Sequence, residues 1–111
     1  MTGTAKRKGD RAELEAATLI RDALGYPARR KLGAGRTDDV GDIDGVPGHI
    51  IQVASWDDVQ SAVRTKPRRA EQQRINAGMP FAATFVRFPR AGWRVVLTVE
   101  QWAALVREAN A

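Results

Sequence analysis

The sequence predicts an α/β domain, a mixed β-sheet with helices packed on it, in the order α-β-β-β-α-β-β-α. Three observations predict this. Apolar residues recur at helical spacing near both ends of the chain. Two pairs of short β-branched and aromatic runs are each joined by a Pro/Gly turn. A polar, basic helical stretch separates the two pairs. A length of 111 residues allows one core and no more.

Each element follows in turn. Residues 1–8 read as a flexible basic arm, and residues 9–111 as a single domain. Asp10 opens a helix with Glu13 three residues on, the pattern of a capping box. Ala16, Leu19, Ile20, Ala23 and Leu24 form its apolar stripe, and Gly25 and Pro27 stop it. Ala28 to Leu32 is a short strand, followed by a loop over Gly33 to Asp39. Val40 to Gly45 and His49 to Ser55 are strands joined by a turn at Val46-Pro47-Gly48. Asp57 to Ala77 is helical and ends at Gly78, with Pro67 expected to kink or split it. Phe81 to Phe88 and Trp93 to Val99 form a hairpin around Pro89-Arg90-Ala91-Gly92. Thr98 or Val99 starts a last helix, with Trp102, Leu105 and Val106 as its apolar face.

Composition narrows the function. With no cysteine there are no disulfides, thiolate metal sites or cysteine nucleophile. One His excludes the usual multi-His zinc sites. No apolar run approaches the ~20 residues of a membrane span. The N-terminus has charge without a following apolar stretch, so a signal peptide is not expected. The expected location is cytoplasmic, in the host cytoplasm if the chain is phage-encoded. The net charge is +5, yet no Lys or Arg lies between Thr37 and Val63. That window holds Asp38, Asp39, Asp42, Asp44, Asp57 and Asp58. A basic surface points to a polyanion, most simply nucleic acid. An acidic island within it repels phosphate unless a cation sits there; the plain alternative is acidic loops around a core.

Glu13 lies seven residues before Ile20, within about 20° of it on a 3.6-residue helix. That puts a carboxylate on the apolar stripe, where it needs a partner. It is either half of the capping box or a metal ligand. Glu15 aligns with Asp22 on the outer face. Asp42 and Asp44 share one face of their strand, and Asp44 reads as the start of the turn. On the next strand Ile50, Gln52 and Ala54 share one face, and Ile51, Val53 and Ser55 the other. A three-residue connection sets Asp42 opposite Gln52; a two-residue connection does not, and the register stays open. An acid on one strand, followed by a strand with an acid or amide and a lysine two apart, is a nuclease arrangement. Hard oxygen ligands hold Mg²⁺, the ion activates water, and the lysine meets the scissile phosphate or the attacking water.

Lys8-Gly9-Asp10-Arg11-Ala12-Glu13-Leu14-Glu15, then Gly41-Asp42-Ile43, then Ile51-Gln52-Val53-Ala54 resembles the PD-(D/E)XK nuclease superfamily. It is most similar to the Holliday junction resolvases of archaea and phages. The resemblance implies a restriction-endonuclease-like fold, a Mg²⁺-dependent endodeoxyribonuclease (Mn²⁺ as substitute), and hydrolysis of phosphodiesters at four-way DNA junctions. It implies a homodimer, since resolution needs two symmetric cuts. No membrane and no small-molecule cofactor are implied. Glu13, Asp42 and Gln52 would be the metal ligands, converging on one cation, with the main-chain carbonyl of Val53 as a further ligand. Gln52 stands where Glu is usual. Gln72 or Gln73 matches a polar position facing the site in relatives.

Position 54 departs from the pattern, because the family has lysine where this chain has Ala54. Either the chain is an inactivated active-site variant, or it is a natural protein that binds branched DNA without cutting. The first is favoured, since a drifting pseudoenzyme is expected to lose its ligands too. Ala54 Cβ is expected to point into the same cleft as the ligands. A duplex-specific repair or restriction-type nuclease is the third alternative; the absence of an appended specificity domain argues against a restriction enzyme. Lys6, Arg7, Lys8, Arg29, Arg30, Lys31 and Arg36 are candidates for junction contact. Lys66, Arg68, Arg69 and Arg74 are solvated helix charges or phosphate contacts. His49 reads as a surface residue, Trp56 as stacking on a base or packing under the next helix, and Trp93 and Trp102 as core or interface residues.

Overall fold

The computed structural model describes residues 3–31 and 41–111, with side chains from residue 8 onward. Its elements are α1 (Gly3–Leu24), β1 (Arg29–Arg30), β2 (Ile43–Asp44), β3 (His49–Ala54), α2 (Val59–Ala77), β4 (Phe81–Phe88), β5 (Gly92–Val96) and α3 (Val99–Ala109). The order is the one expected from the sequence. The five strands form one open sheet in the order β1-β2-β3-β4-β5. β3 and β4 are parallel and joined by α2; the other neighbours are antiparallel.

The two faces of β3 are covered by different helices. Ile51 and Val53 pack with Ile43 against Ala12, Ala16, Ala17 and Ile20 of α1. Three of these four α1 residues are alanine. Ile50 packs on Ala70 of α2 with Ala82, and Ala54 on Ala62 of α2 with Val86. The alternation read from the sequence is therefore real, with both faces buried as a central strand requires.

Several boundaries differ from the expectation. α1 begins at Gly3, so most of the segment read as an arm is helical, and Asp10 lies inside the helix where it cannot cap it. A capping box does occur at α3. Thr98 accepts from the Gln101 backbone N–H, and the Gln101 side chain accepts from the Thr98 N–H. Pro67 does not split α2, which runs unbroken from its cap at Asp58 to the left-handed Gly78. The carbonyl of Pro67 accepts a hydrogen bond at 3.0 Å from the Gln101 amide, which docks α3 on α2. That amide, not Trp102 or Val106, is the buried group of α3; Trp102 is 58% exposed and Val106 38%. β1 and β2 are shorter than read, because only two rungs pair.

The β2–β3 register pairs Ile43 with Ile51. This is the register of the three-residue connection, and by count it sets Asp42 across from Gln52. Gly45, at φ +96°, lies close against other backbone: a Cβ there would lie 2.3 Å from the Pro27 carbonyl oxygen. No described helix is long and apolar enough to cross a membrane.

Candidate functional site

One cluster forms where α1, β1 and β2 meet. Asp10 and Glu13 are one turn apart on α1, and Arg30 of β1 reaches both. Its guanidinium donates to Asp10 Oδ1 at 2.7 Å and to Glu13 Oε1 at 3.3 Å. Asp42 enters from the residue just before β2. Gly41 before it has φ +95°, and a Cβ there would lie 2.9 Å from the Ile51 carbonyl oxygen. Only glycine lets the backbone come so close. The Asp42 N–H then donates to the Ile51 carbonyl at 2.7 Å, and Asp42 Oδ2 accepts from the Val53 N–H at 2.8 Å.

Burial raises the Glu13 carboxyl above its usual value, and repulsion from Asp42 raises it further. The hydrogen bond and charge of Arg30 oppose the shift without cancelling it. The Asp42 carboxylate, from another segment, is thus near enough to disfavour the ionisation of Glu13. Glu13 is accordingly turned to the sheet, as its helical phase indicated, but its partner is Arg30 and not a cap.

Gln52 and Ala54 lie elsewhere. On the α2 face, β3 and β4 present three rungs in parallel register: Ile50 with Ala82, Gln52 with Thr84, and Ala54 with Val86. The outer two rungs are apolar and the middle one is polar. α2 meets it with Lys66 and Gln73. Lys66 Nζ donates to Gln52 Oε1 at 2.8 Å, and Gln52 Nε2 donates to Gln73 Oε1 at 2.6 Å. All four side chains are buried, and Gln73 Nε2 and Thr84 Oγ1 have no hydrogen-bond partner among the described residues. Both ends of the Gln52 amide are engaged, and Nζ sits 6.0 Å from the centre of the Trp56 ring, the outer limit of a cation–π contact.

The expected convergence therefore needs correcting. Glu13 and Asp42 come together beside Val53, which contributes its N–H. Gln52 turns to α2; the register alone would set Asp42 on that face too, but Asp42 lies before β2, outside the paired rungs, and its carboxylate accepts from the Val53 N–H instead. Ala54 opens on no cleft; it is 1% exposed, sealed against Ala62 and Val86. Gln72 is exposed and donates to Asn76, so Gln73 is the residue that faces Gln52. Lys66 is buried and not a solvated phosphate contact. The spacing of Ala62, Lys66, Ala70 and Gln73 (i, i+4, i+8, i+11) marks one helix face, and that stripe would have identified Lys66 and Gln73 from sequence.

The other basic candidates divide by counter-charge. Arg29 pairs with Asp44 at 3.1 Å, Lys31 with Asp44 at 3.9 Å and Lys8 with Asp57 at 2.7 Å. Part of the acidic island thus balances charge on α1 and β1. Arg68 and Arg69 are exposed on α2. The side chains of Lys6 and Arg7, and Arg36 with its loop, lie outside the described residues.

Among the described residues no three His, Cys, Asp or Glu side chains are grouped to hold a metal. Glu13 and Asp42 do offer hard oxygen donors whose mutual repulsion a cation would relieve, so the pair fits such an ion with water completing its shell. Comparison with protein-family models, curated proteins and solved structures gives no match.

Proposed function

We propose that this chain is a metal-dependent nuclease of restriction-endonuclease-like fold that acts on branched DNA as a homodimer. The observation that carries the reading is the approach of Glu13 and Asp42 from α1 and β2 onto β3, at the two motif positions of the sequence resemblance. These carboxylates would hold Mg²⁺ or Mn²⁺, and the ion when bound supplies an activated water and charge neutralisation at phosphorus. Asp42 is fixed by the Val53 N–H, and Glu13 is aimed by Arg30. A basic surface with a net charge of +5 supplies sequence-independent attraction to phosphates.

One observation favours a second reading, a branched-DNA-binding protein that does not cut. The Gln52 amide is occupied at both ends, so the pattern's third ligand is engaged elsewhere. One experiment separates the two. The protein is incubated with Mg²⁺ or Mn²⁺ and either a synthetic four-way junction or a linear duplex of the same sequence. Paired symmetric nicks in the junction are expected. Salt-sensitive junction binding with no nicks under either metal would establish the second reading, and no preference for the junction would remove the branched substrate from both.

A further inference from the structure

We infer that helix α3, with the apolar groove beside it, is the surface on which two copies of this chain pair, their α3 helices running antiparallel. This rests on the homodimer of the reading above and goes beyond it by assigning the residues that hold the copies together.

The docking of α3 leaves its apolar side uncovered. Gln101 is its only buried side chain, held on the Pro67 carbonyl of α2. Val99, Trp102 and Val106 are spaced i, i+3 and i+7, so they form one stripe. All three are exposed, Val99 at 76%. Leu105, about 60° round the helix from Trp102, lines a groove of about 260 Å³ shared with the C-terminal end of α1. Leu24, Tyr26, Val46, Val95 and Leu97 also line it, and no lining residue is Lys, Arg, Asp or Glu. Leu24, Tyr26 and Val95 are themselves exposed. A continuous apolar patch of this kind marks an interaction surface.

Charge identifies the occupant as a second copy. DNA is drawn to Lys and Arg, and the groove offers it neither. Two copies, each at +5, repel across their basic surfaces and meet most easily where the surface is neutral. Glu100 and Arg107 are seven residues apart, so they share one flank of α3. Both are exposed, and neither has an ion-pair partner among the described residues. A twofold axis crossing α3 between Ala103 and Ala104 exchanges positions equally far from it. Glu100 then faces the partner's Arg107, twice in the dimer, and Trp102 faces the partner's Leu105 at the groove. Parallel helices would instead set Glu100 against the partner's Glu100. Knob and groove lie on one patch, as a twofold contact requires. Glu13 is eleven residues from Leu24 along α1, about 16 Å at helical rise, so both carboxylate sites stay open.

Sedimentation equilibrium of the full chain tests this, with Trp102→Ala, Glu100→Arg and Arg107→Glu alongside and circular dichroism to check folding. The parent should weigh twice 12.2 kDa. Trp102→Ala should weaken the dimer by about 10²-fold or more, because each dimer loses two central aromatic anchors. Each charge variant sets like charges at both contacts and should weaken it about tenfold. An equal mixture of Glu100→Arg and Arg107→Glu sets opposite charges at both contacts and should associate about as tightly as the parent. A helix needed only for folding would not respond to mixing. A dimer that none of the variants weakens, or a mixture no tighter than either variant alone, overturns the inference and leaves the homodimer to another face. A parent that stays at 12.2 kDa at every concentration overturns the inference and the homodimer together. If Trp102→Ala then lowers junction affinity, the face belongs to DNA.

Discussion

Ala54→Lys is the substitution that best separates an inactivated enzyme from a chain built around alanine at this position. The sequence resemblance suggests that a lysine there would restore activity. The structure predicts damage. Ala54 is 1% exposed, paired in register with Val86 and packed on Ala62, both of which are fully buried. Overpacking a closed site costs about 1–3 kcal/mol. The ammonium would also enter one turn of α2 away from Lys66, already a buried cation, and an uncompensated buried charge costs about 3–5 kcal/mol. The combined penalty is a large share of the ~5–15 kcal/mol that holds a domain folded. At about 4–8 °C per kcal/mol for a domain near this size, melting should fall by more than ~15 °C. Ala54→Val, which adds volume without charge, should suffer only the packing cost. Urea unfolding followed by tryptophan fluorescence gives both values, and the junction assay shows whether cleavage appears. An Ala54→Lys protein that melts within a few degrees of the parent and cuts the junction faster would show that position 54 opens on the site, and the packing argument would fail.

The sequence made the order of elements legible because its signals are local. Turn residues at Gly25-Tyr26-Pro27, Val46-Pro47-Gly48 and Pro89-Arg90-Ala91-Gly92 mark the ends, and the β-branched run around Ile50 to Val53 marks a strand. The inward phase of Glu13 was legible for the same reason, while Asp42 as its companion came from the resemblance. Three features were not, and each depends on a partner distant in sequence. Asp10 and Glu13 have capping-box spacing, but Arg30 of β1 draws both into an ion-pair cluster inside a longer helix. Alternation correctly places Gln52 and Ala54 on one face without saying which helix covers it. That α2 covers it, and not α1, decides whether those residues join Glu13. Trp102 has the spacing of a core residue on α3, yet the docking contact is polar. The buried Gln101 donates to the carbonyl of Pro67, a residue that interrupts the hydrogen-bond ladder of α2 by lacking an N–H.

Two further predictions concern the scaffold and the carboxylates. Gly45→Ala should destabilise by at least ~1–3 kcal/mol from its positive φ alone, and by more because its Cβ would lie 2.3 Å from backbone oxygen. Gly92→Ala, at φ +77° with open space around it, should lose only the conformational part, so equal losses in chemical denaturation would refute the steric argument. Glu13→Gln tests the site. The folded-state value of Glu13 is raised by burial and by Asp42, so the folded chain holds this proton more tightly than the unfolded chain. The stability this group contributes is therefore greatest below its ordinary range and declines as pH rises through the raised value. Glutamine does not ionise, so the melting temperature of Glu13→Gln relative to the parent should increase between about pH 4 and about pH 7. The Arg30 hydrogen bond works against this, and a difference that is flat or falls with pH would mean that Arg30 outweighs burial and Asp42. Millimolar Mg²⁺ near neutral pH should then raise the melting temperature of the parent and not of Glu13→Gln, because an ion bound only by the folded carboxylate pair stabilises that state by mass action. Equal Mg²⁺ shifts in both proteins would place the ion, if bound at all, away from Glu13.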